Sequence, residues 1–407
     1  MNDNCASPGL ISVDDAITRI LDAATPLQSV ETVNIESALG RVLAEDITSS
    51  INVPGYDNSA MDGYVVNSKD CQQRGMTLAV SQRIPAGTTG DPLEAGTAAR
   101  IFTGAPVPEN ANAVVMQELC EQQGNNVVIN TIVKAGENVR RAGEDIARDA
   151  VVLDSGTRLR PQDMGLLASV GVAQVNVYRK LKVATFFTGD EIVEPGNELA
   201  SGQIYNSNQY TLAGLLQSVG CDVVNYGIVP DTLDNTLAVM SEAASNADLV
   251  LTSGGVSVGE EDYVRIALEQ LGQLNMWRIA MKPGKPVAFG QIGDCLFMGL
   301  PGNPVSVFVT FLIFARPLIL KLQGANRFLA DLLTIRSDFS WKKVKREEYL
   351  RVKIKQAAEG PVAELYPHQG SGVLSSASWA DGLVVVEIDT QVKKGDLLPY
   401  IPFQGLF

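Results

Sequence analysis

Residues 54–64, Pro-Gly-Tyr-Asp-Asn-Ser-Ala-Met-Asp-Gly-Tyr, concentrate two carboxylates (Asp57, Asp62), an amide, the Ser59 hydroxyl, two phenols and two glycines. Turn formers on a loop usually only punctuate a chain. This stretch holds more hydrogen-bonding groups than a connector needs, and loops on rigid scaffolds are where function collects. A second run, Ser253-Gly254-Gly255-Val256-Ser257-Val258-Gly259, leads into Glu260-Glu261-Asp262. Glycines let backbone N–H groups approach a phosphate closely. The spacing is neither a Walker A loop nor a dinucleotide fingerprint, and by itself does not separate a phosphate cradle from a structural turn.

Three further groups carry charge or hydroxyls. Glu191 (in Thr188-Gly189-Asp190-Glu191), Asp231 and Asp262 are hard oxygen donors suited to Mg²⁺ beside a substrate phosphate; helix capping is the competing use. Met281-Lys282-Pro283-Gly284-Lys285-Pro286 sets two lysines on a proline-stiffened loop, either as oxyanion contacts or as solvated charges. Gly299–Ser306 follows, with Ser306 in the first turn of an apolar helix, where free N–H groups favour an anion. Arg140-Arg141-Ala142-Gly143-Glu144-Asp145 reads as a surface salt-bridge cluster or a phosphate clamp. His368, the single histidine, reads as a loop residue, and a Ser-His-Asp triad is excluded in practice.

These loops need scaffolds. From Leu181 to about residue 325, strand-like and helix-like segments alternate, which predicts a doubly wound parallel α/β sheet. In such sheets ligands sit beyond the carboxyl ends of the strands, where Thr188–Glu191, Pro230-Asp231 and Ser253–Gly259 fall. Residues about 50–150 are Gly- and Pro-rich with short runs, a β-rich insertion, and residues about 330–407 suggest a small β-barrel. Asn303-Pro304 is expected to cap a buried helix over Val305–Leu320, which carries Arg316 and Pro317 and is too short to span a bilayer comfortably.

Composition bounds the partners. The chain has 407 residues and a formal net charge of −14, and its charge pattern is read as lacking any Lys/Arg-rich block. Nucleic acid and anionic membranes are therefore unexpected partners. Five scattered cysteines without a C-x-x-C pair argue against disulfides and structural zinc and favour the cytoplasm.

In order along the chain, PGYDNSAMDGYVV (54–66), RIFTGAPVPENANAVVMQE (100–118), RRAGEDI (140–146), TGDE (188–191), SGGVSVGEEDY (253–263), MKPGKP (281–286) and GLPGNPVS (299–306) resemble the molybdopterin molybdenumtransferase family. That family includes bacterial MoeA, plant molybdenum insertases and the gephyrin E domain. The resemblance implies four domains: 1–48 with 149–180, then 49–148, 181–328 and 329–407. It implies a homodimer in which the 54–64 loop of one subunit covers the α/β domain of the other. It implies the last step of molybdenum cofactor synthesis, in which adenylylated molybdopterin and molybdate give the cofactor and AMP, with Mg²⁺ required.

By position, Asp62, Thr103, Glu191, Asp231, Asp262, Lys282 and Lys285 match residues the family uses, and Arg140 or Arg141 matches its arginine motif. For molybdate, the resemblance implies Lys282, the Pro283 backbone, Ser306, Arg351 and Ser371. An upstream adenylyltransferase and chaperones of molybdenum enzymes would be further partners. Phe186-Phe187 and Thr232 depart from the common pattern. A non-catalytic scaffold and the preceding adenylyltransferase are the competing functions.

Overall fold

The computed structural model of the chain describes residues 10–255 and 263–406. The expectations placed on Ser257, Gly259 and Asp262 lie outside the described residues.

Helix Val13–Asp22 starts at Ser12, whose hydroxyl accepts the Asp15 amide at 3.1 Å. Its apolar face (Val13, Ala16, Ile20) packs into the α/β core. Two antiparallel pairings, 30–34 with 174–178 and 47–48 with 151–153, frame the exit to and return from the β-rich unit. That unit is a six-stranded sheet in the order 113–116, 63–66, 97–101, 76–84, 126–129, 120–123.

The α/β unit also has six strands, ordered 222–229, 182–188, 249–253, 295–300, 286–292, 273–278. The first four are parallel, as the alternating pattern predicts. The remaining two turn the edge antiparallel, which that pattern does not show. The reason is local: Ile292 pairs with Cys295 across Gly293 and Asp294, and Gly293 takes φ +58, so the chain reverses in a two-residue hairpin where a crossover would need a dozen residues.

Both faces of the sheet are covered, so its central strands are mostly apolar. Phe187 enters one core with Val183, Leu251 and Met298, while Phe186 enters the opposite core with Ala184, Val250 and Phe297. The Phe186-Phe187 departure is thus a two-sided packing element.

The apolar helix runs over Pro304–Leu322, long and apolar enough to cross a membrane but 89% buried inside the fold. Its middle turn, Phe311–Ala315, is a π-helical segment ahead of Pro317, which has no amide to donate. Arg316 is buried; Nε donates to the Leu406 carbonyl at 2.9 Å and Nη1 to that of Phe328 at 3.0 Å. Burial lowers its pKa to about 10. The C-terminal unit is a closed five-stranded barrel, 347–357, 360–365, 333–337, 397–402 and 382–386, the last pairing back to the first.

Gly63 gives a direct test of the β-rich sheet. A Cβ there would lie 1.8 Å from the Val115 carbonyl oxygen, a backbone atom in the adjacent strand. Gly63→Ala is expected to destabilise this unit by ~3 kcal/mol or more, seen as faster amide exchange across 63–66 and 113–116, with the α/β strands unaffected.

Candidate functional site

The register of the α/β sheet brings its loops together. Thr188 lies opposite Val229, Phe187 opposite Ser253, and Ser253 opposite Leu300. Gly189, Pro230, Gly254 and Pro301 therefore leave the sheet side by side. The strand order reverses between 182–188 and 249–253, the place where such sheets open a crevice. Thr188 and Ser253 are buried there, and the Ser253 hydroxyl has no hydrogen-bond partner among the described residues. Gly254 donates to the Leu300 carbonyl at 3.1 Å. Gly189 takes φ +145, and a Cβ on it would lie 2.7 Å from the Glu191 carboxylate.

A cleft of about 660 Å³ opens over these ends. Glu191, Gly254 and Gly255 line its sheet side, and Lys282, Pro283 and Lys285 line a second. Ser306 and Ser371 complete the part anticipated from sequence. The lysine loop is tied to the barrel, since Met281 and Lys282 pair in parallel with Glu347 and Glu348. Lys282 Nζ lies 3.1 Å from the Glu348 carboxylate, which is nearly buried and also accepts Trp341 Nε1 at 3.0 Å. Gly284 takes φ +106, and a Cβ would meet Thr310 Cγ2 at 2.4 Å, so only glycine suits this turn. Lys285 is exposed, without an ion pair among the described residues.

The helix start differs from the expectation in one respect. Asn303 occupies the cap position but its side chain makes no capping bond. The Val305 amide donates instead to the Ser371 carbonyl of the barrel at 2.9 Å, and the Asn303 side chain is left to line the cleft.

Arg351 does not line the cleft. It is 1% exposed and its guanidinium donates to Ser376 Oγ and to the carbonyls of Tyr349 and Gly370, at 3.0–3.1 Å. Desolvation lowers its pKa to about 10. With Gln369, whose amide bonds both backbone groups of Arg351, it holds the loop that carries Ser371.

Asp231 also lies off the cleft, half-buried after strand 222–229. Thr232, the second departure, caps the next helix by accepting the Asn235 amide at 3.4 Å. Among the described residues no three acidic, histidine or cysteine side chains converge as a metal site. Glu191 is a carboxylate on the cleft and Asp231 stands at the neighbouring strand end. This suits a cation that takes most of its ligands from water and substrate oxygens.

The other predicted residues gather on the β-rich unit, none lining the cleft. Asp62 Oδ1 accepts both the amide and the hydroxyl of Thr103 at 2.8 Å. These bonds, with the charge of Arg100, hold its carboxyl below the usual carboxylate range. Asp57 accepts the Ala142 amide at 2.9 Å and pairs with Arg141 at 2.5 Å. Ser59 is fully buried and donates to the Met61 carbonyl at 2.6 Å, so it shapes the loop from within. Arg140 is exposed on a short strand paired with Asn58. His368 is exposed and off the cleft.

Sequence reasoning missed Arg346, Asn303 and Gln369 on the cleft, and Glu348 behind Lys282. The missed signal for Arg346 is the short basic run Lys342-Lys343-Val344-Lys345-Arg346, which corrects the reading that no such block exists.

Three family descriptions divide the chain: MoeA N-terminal region (domain I and II) over 11–171, probable molybdopterin binding domain over 184–321, and MoeA C-terminal region (domain IV) over 334–403. The molybdopterin molybdenumtransferase of Haemophilus influenzae is 45% identical over 78% of this chain and 79% of its own length. The chain belongs to the MoeA family. A molybdopterin molybdenumtransferase of a Nostoc species is 40% identical over 78% of this chain and 75% of its own length. The crystal structure of a molybdopterin biosynthesis MoeA protein from Pyrococcus horikoshii superposes with a TM-score of 0.86 at 28% identity, covering 97% of this chain and all of that one.

The 54–64 loop of this MoeA protein should respond to acid. The Ala142 amide and Arg141 hold the folded Asp57 pKa below its ordinary value. The carboxylate therefore supports the loop fully above the ordinary carboxylate pKa, and the support is lost as pH falls through the lowered folded value. Titrating the Asp57 carboxyl carbon by NMR should give a midpoint below 3.8, with Ala142 amide protection lost over the same range. Asp57→Asn should remove that step.

Proposed function

We propose that this chain is a molybdopterin molybdenumtransferase that uses molybdate and adenylylated molybdopterin, releasing AMP as the cofactor forms. The observation that carries the reading is one cleft at the switch point of the sheet, where Gly254 and Gly255 face Lys282, Lys285 and Ser306. Molybdate is a tetrahedral dianion, and ammonium groups, hydroxyls and backbone N–H groups hold such an ion without histidine or cysteine ligands. The surrounding protein carries a net −14 charge, so attraction has to be local.

In this reading Thr188, Gly189, Ser253, Gly254 and Gly255 receive the substrate phosphates. The Ser253 hydroxyl, unpartnered among the described residues, is available to donate to a phosphate oxygen. Lys282, the Pro283 backbone, Lys285, Ser306 and the Ser371 loop receive the molybdenum oxyanion. Arg351 acts through that loop by holding Gly370. Glu191, Asp231 and Asp262 would hold Mg²⁺, which when bound neutralises and orients the phosphoanhydride.

Among the described residues no thiol is an activated nucleophile. Burial raises the thiols of Cys71 and Cys120 to about 11 and those of Cys221 and Cys295 to about 12, so they remain protonated at neutral pH. The transfer is thus read as non-covalent with respect to the protein. Of the four domains in this reading, 1–48 with 149–180, 49–148, 181–328 and 329–407, the last two contribute the residues that line the cleft. In a homodimer, the Asp62–Thr103 loop, with Ser59 shaping it and Arg140 and Arg141 beside it, would close the cleft of the other copy.

Complementation tests this arrangement. Asp62→Ala and Lys285→Ala, each purified alone, should lose molybdate-dependent AMP release by about a hundredfold or more. Asp62→Ala should still bind molybdate. Mixing the two variants under subunit exchange should restore a fraction of the wild-type rate, because one cleft in each mixed dimer has both halves intact. No recovery on mixing would contradict the shared site, and full turnover by either variant alone would remove that residue from it.

A further inference from the structure

Arg346 is assigned no role by the family motifs, yet its side chain lines the same cleft. It is half-exposed and has no ion pair or hydrogen bond among the described residues, unlike the other arginine nearby, Arg351, whose donors are turned into the barrel loop. Its backbone is fixed: the next residue, Glu347, donates its amide to the Ala280 carbonyl at 2.9 Å and pairs with Met281. Arg346 therefore enters the cleft one step before the strand that holds Lys282.

The local charges make this position consequential. Lys282 is already paired with Glu348 at 3.1 Å, and Glu191 is a second carboxylate at the cleft. Among the described residues these two carboxylates match the two lysines in number, so Arg346 is the positive charge left over there. A guanidinium also presents a planar fork that matches two oxygens of a tetrahedral oxyanion, where an ammonium offers a point charge.

We propose that Arg346 is an oxyanion-binding residue of this cleft, its guanidinium taking two oxygens of a tetrahedral anion beside Lys285. This rests on the molybdenumtransferase reading for the identity of the anion, which is either molybdate or the phosphate of the adenylylated substrate.

The test titrates the purified full chain with molybdate alone and with AMP alone by calorimetry, for wild type, Arg346→Ala and Arg346→Lys. Arg346→Ala should weaken one of the two anions by about tenfold or more, and the affected anion identifies the source. Arg346→Lys, which keeps the charge and loses the fork, should recover part of that loss. Thermal unfolding should be unchanged, since no hydrogen bond or ion pair among the described residues is removed. Should Arg346→Ala fail to fold, Arg346→Gln takes its place in the same titrations. Wild-type affinity for both anions in the alanine or glutamine variant overturns the inference and leaves the functional reading standing. A wild-type chain that binds neither anion overturns the functional reading and the inference with it.

Discussion

The short parallel pairing of Met281 and Lys282 with Glu347 and Glu348 joins the α/β unit to the barrel, and the cleft exists because of it. The sheet alone supplies glycine turns at strand ends. The barrel supplies the Ser371 loop and Arg346. Pairing the backbones brings these surfaces to either side of one space, and the Val305 amide, bonded to the Ser371 carbonyl, adds a second tie. Both ties use main-chain groups, so the walls hold even where side chains along them change.

Glu348 gives that junction its electrostatic character. A nearly buried carboxylate is costly unless it is paired and hydrogen-bonded, and here Lys282 and the Trp341 indole satisfy its two oxygens. The consequence reaches the ligand. Lys282 is held in one orientation, but an incoming oxyanion meets an ammonium already shared with a carboxylate. In the proposed reading, anion capture then leans on Lys285, Arg346, the Ser306 turn and free N–H groups, all on the cleft. A site of modest local positive charge inside an acidic protein also allows its anion to leave, which a transferase requires.

Much of this was legible in sequence because the site sits where periodic segments end. Thr188, Gly189, Ser253 and Gly254 could be placed at strand ends from the alternation of β and α segments, and the register confirms that they emerge together. The β-rich unit and the barrel were visible from short runs between turn residues. The antiparallel edge was not, since a Gly-Asp hairpin between two apolar runs has no signal that separates it from a longer crossover. Side-chain direction was the other gap. Arg351 lies within strand 347–357 with its side chain inward, whereas Arg346, just before that strand, faces the cleft. The motifs carried the first and were silent on the second. Asn303 shows the same limit: its position at the helix start was read correctly, but a carbonyl from a distant loop took the capping bond.

The Asp62 loop and the cleft are built from different segments of one chain. In the proposed homodimer the loop would offer the other copy's cleft a carboxylate kept ionised by Thr103. The most direct measurement of the central claim is the anomalous scattering of molybdenum in crystals soaked with molybdate. The expected peak lies in the cleft between Lys285, Ser306 and the Gly254 turn. A single peak elsewhere, such as in the polar cleft around Thr25 and Asp294 at the opposite end of the sheet, would contradict the account.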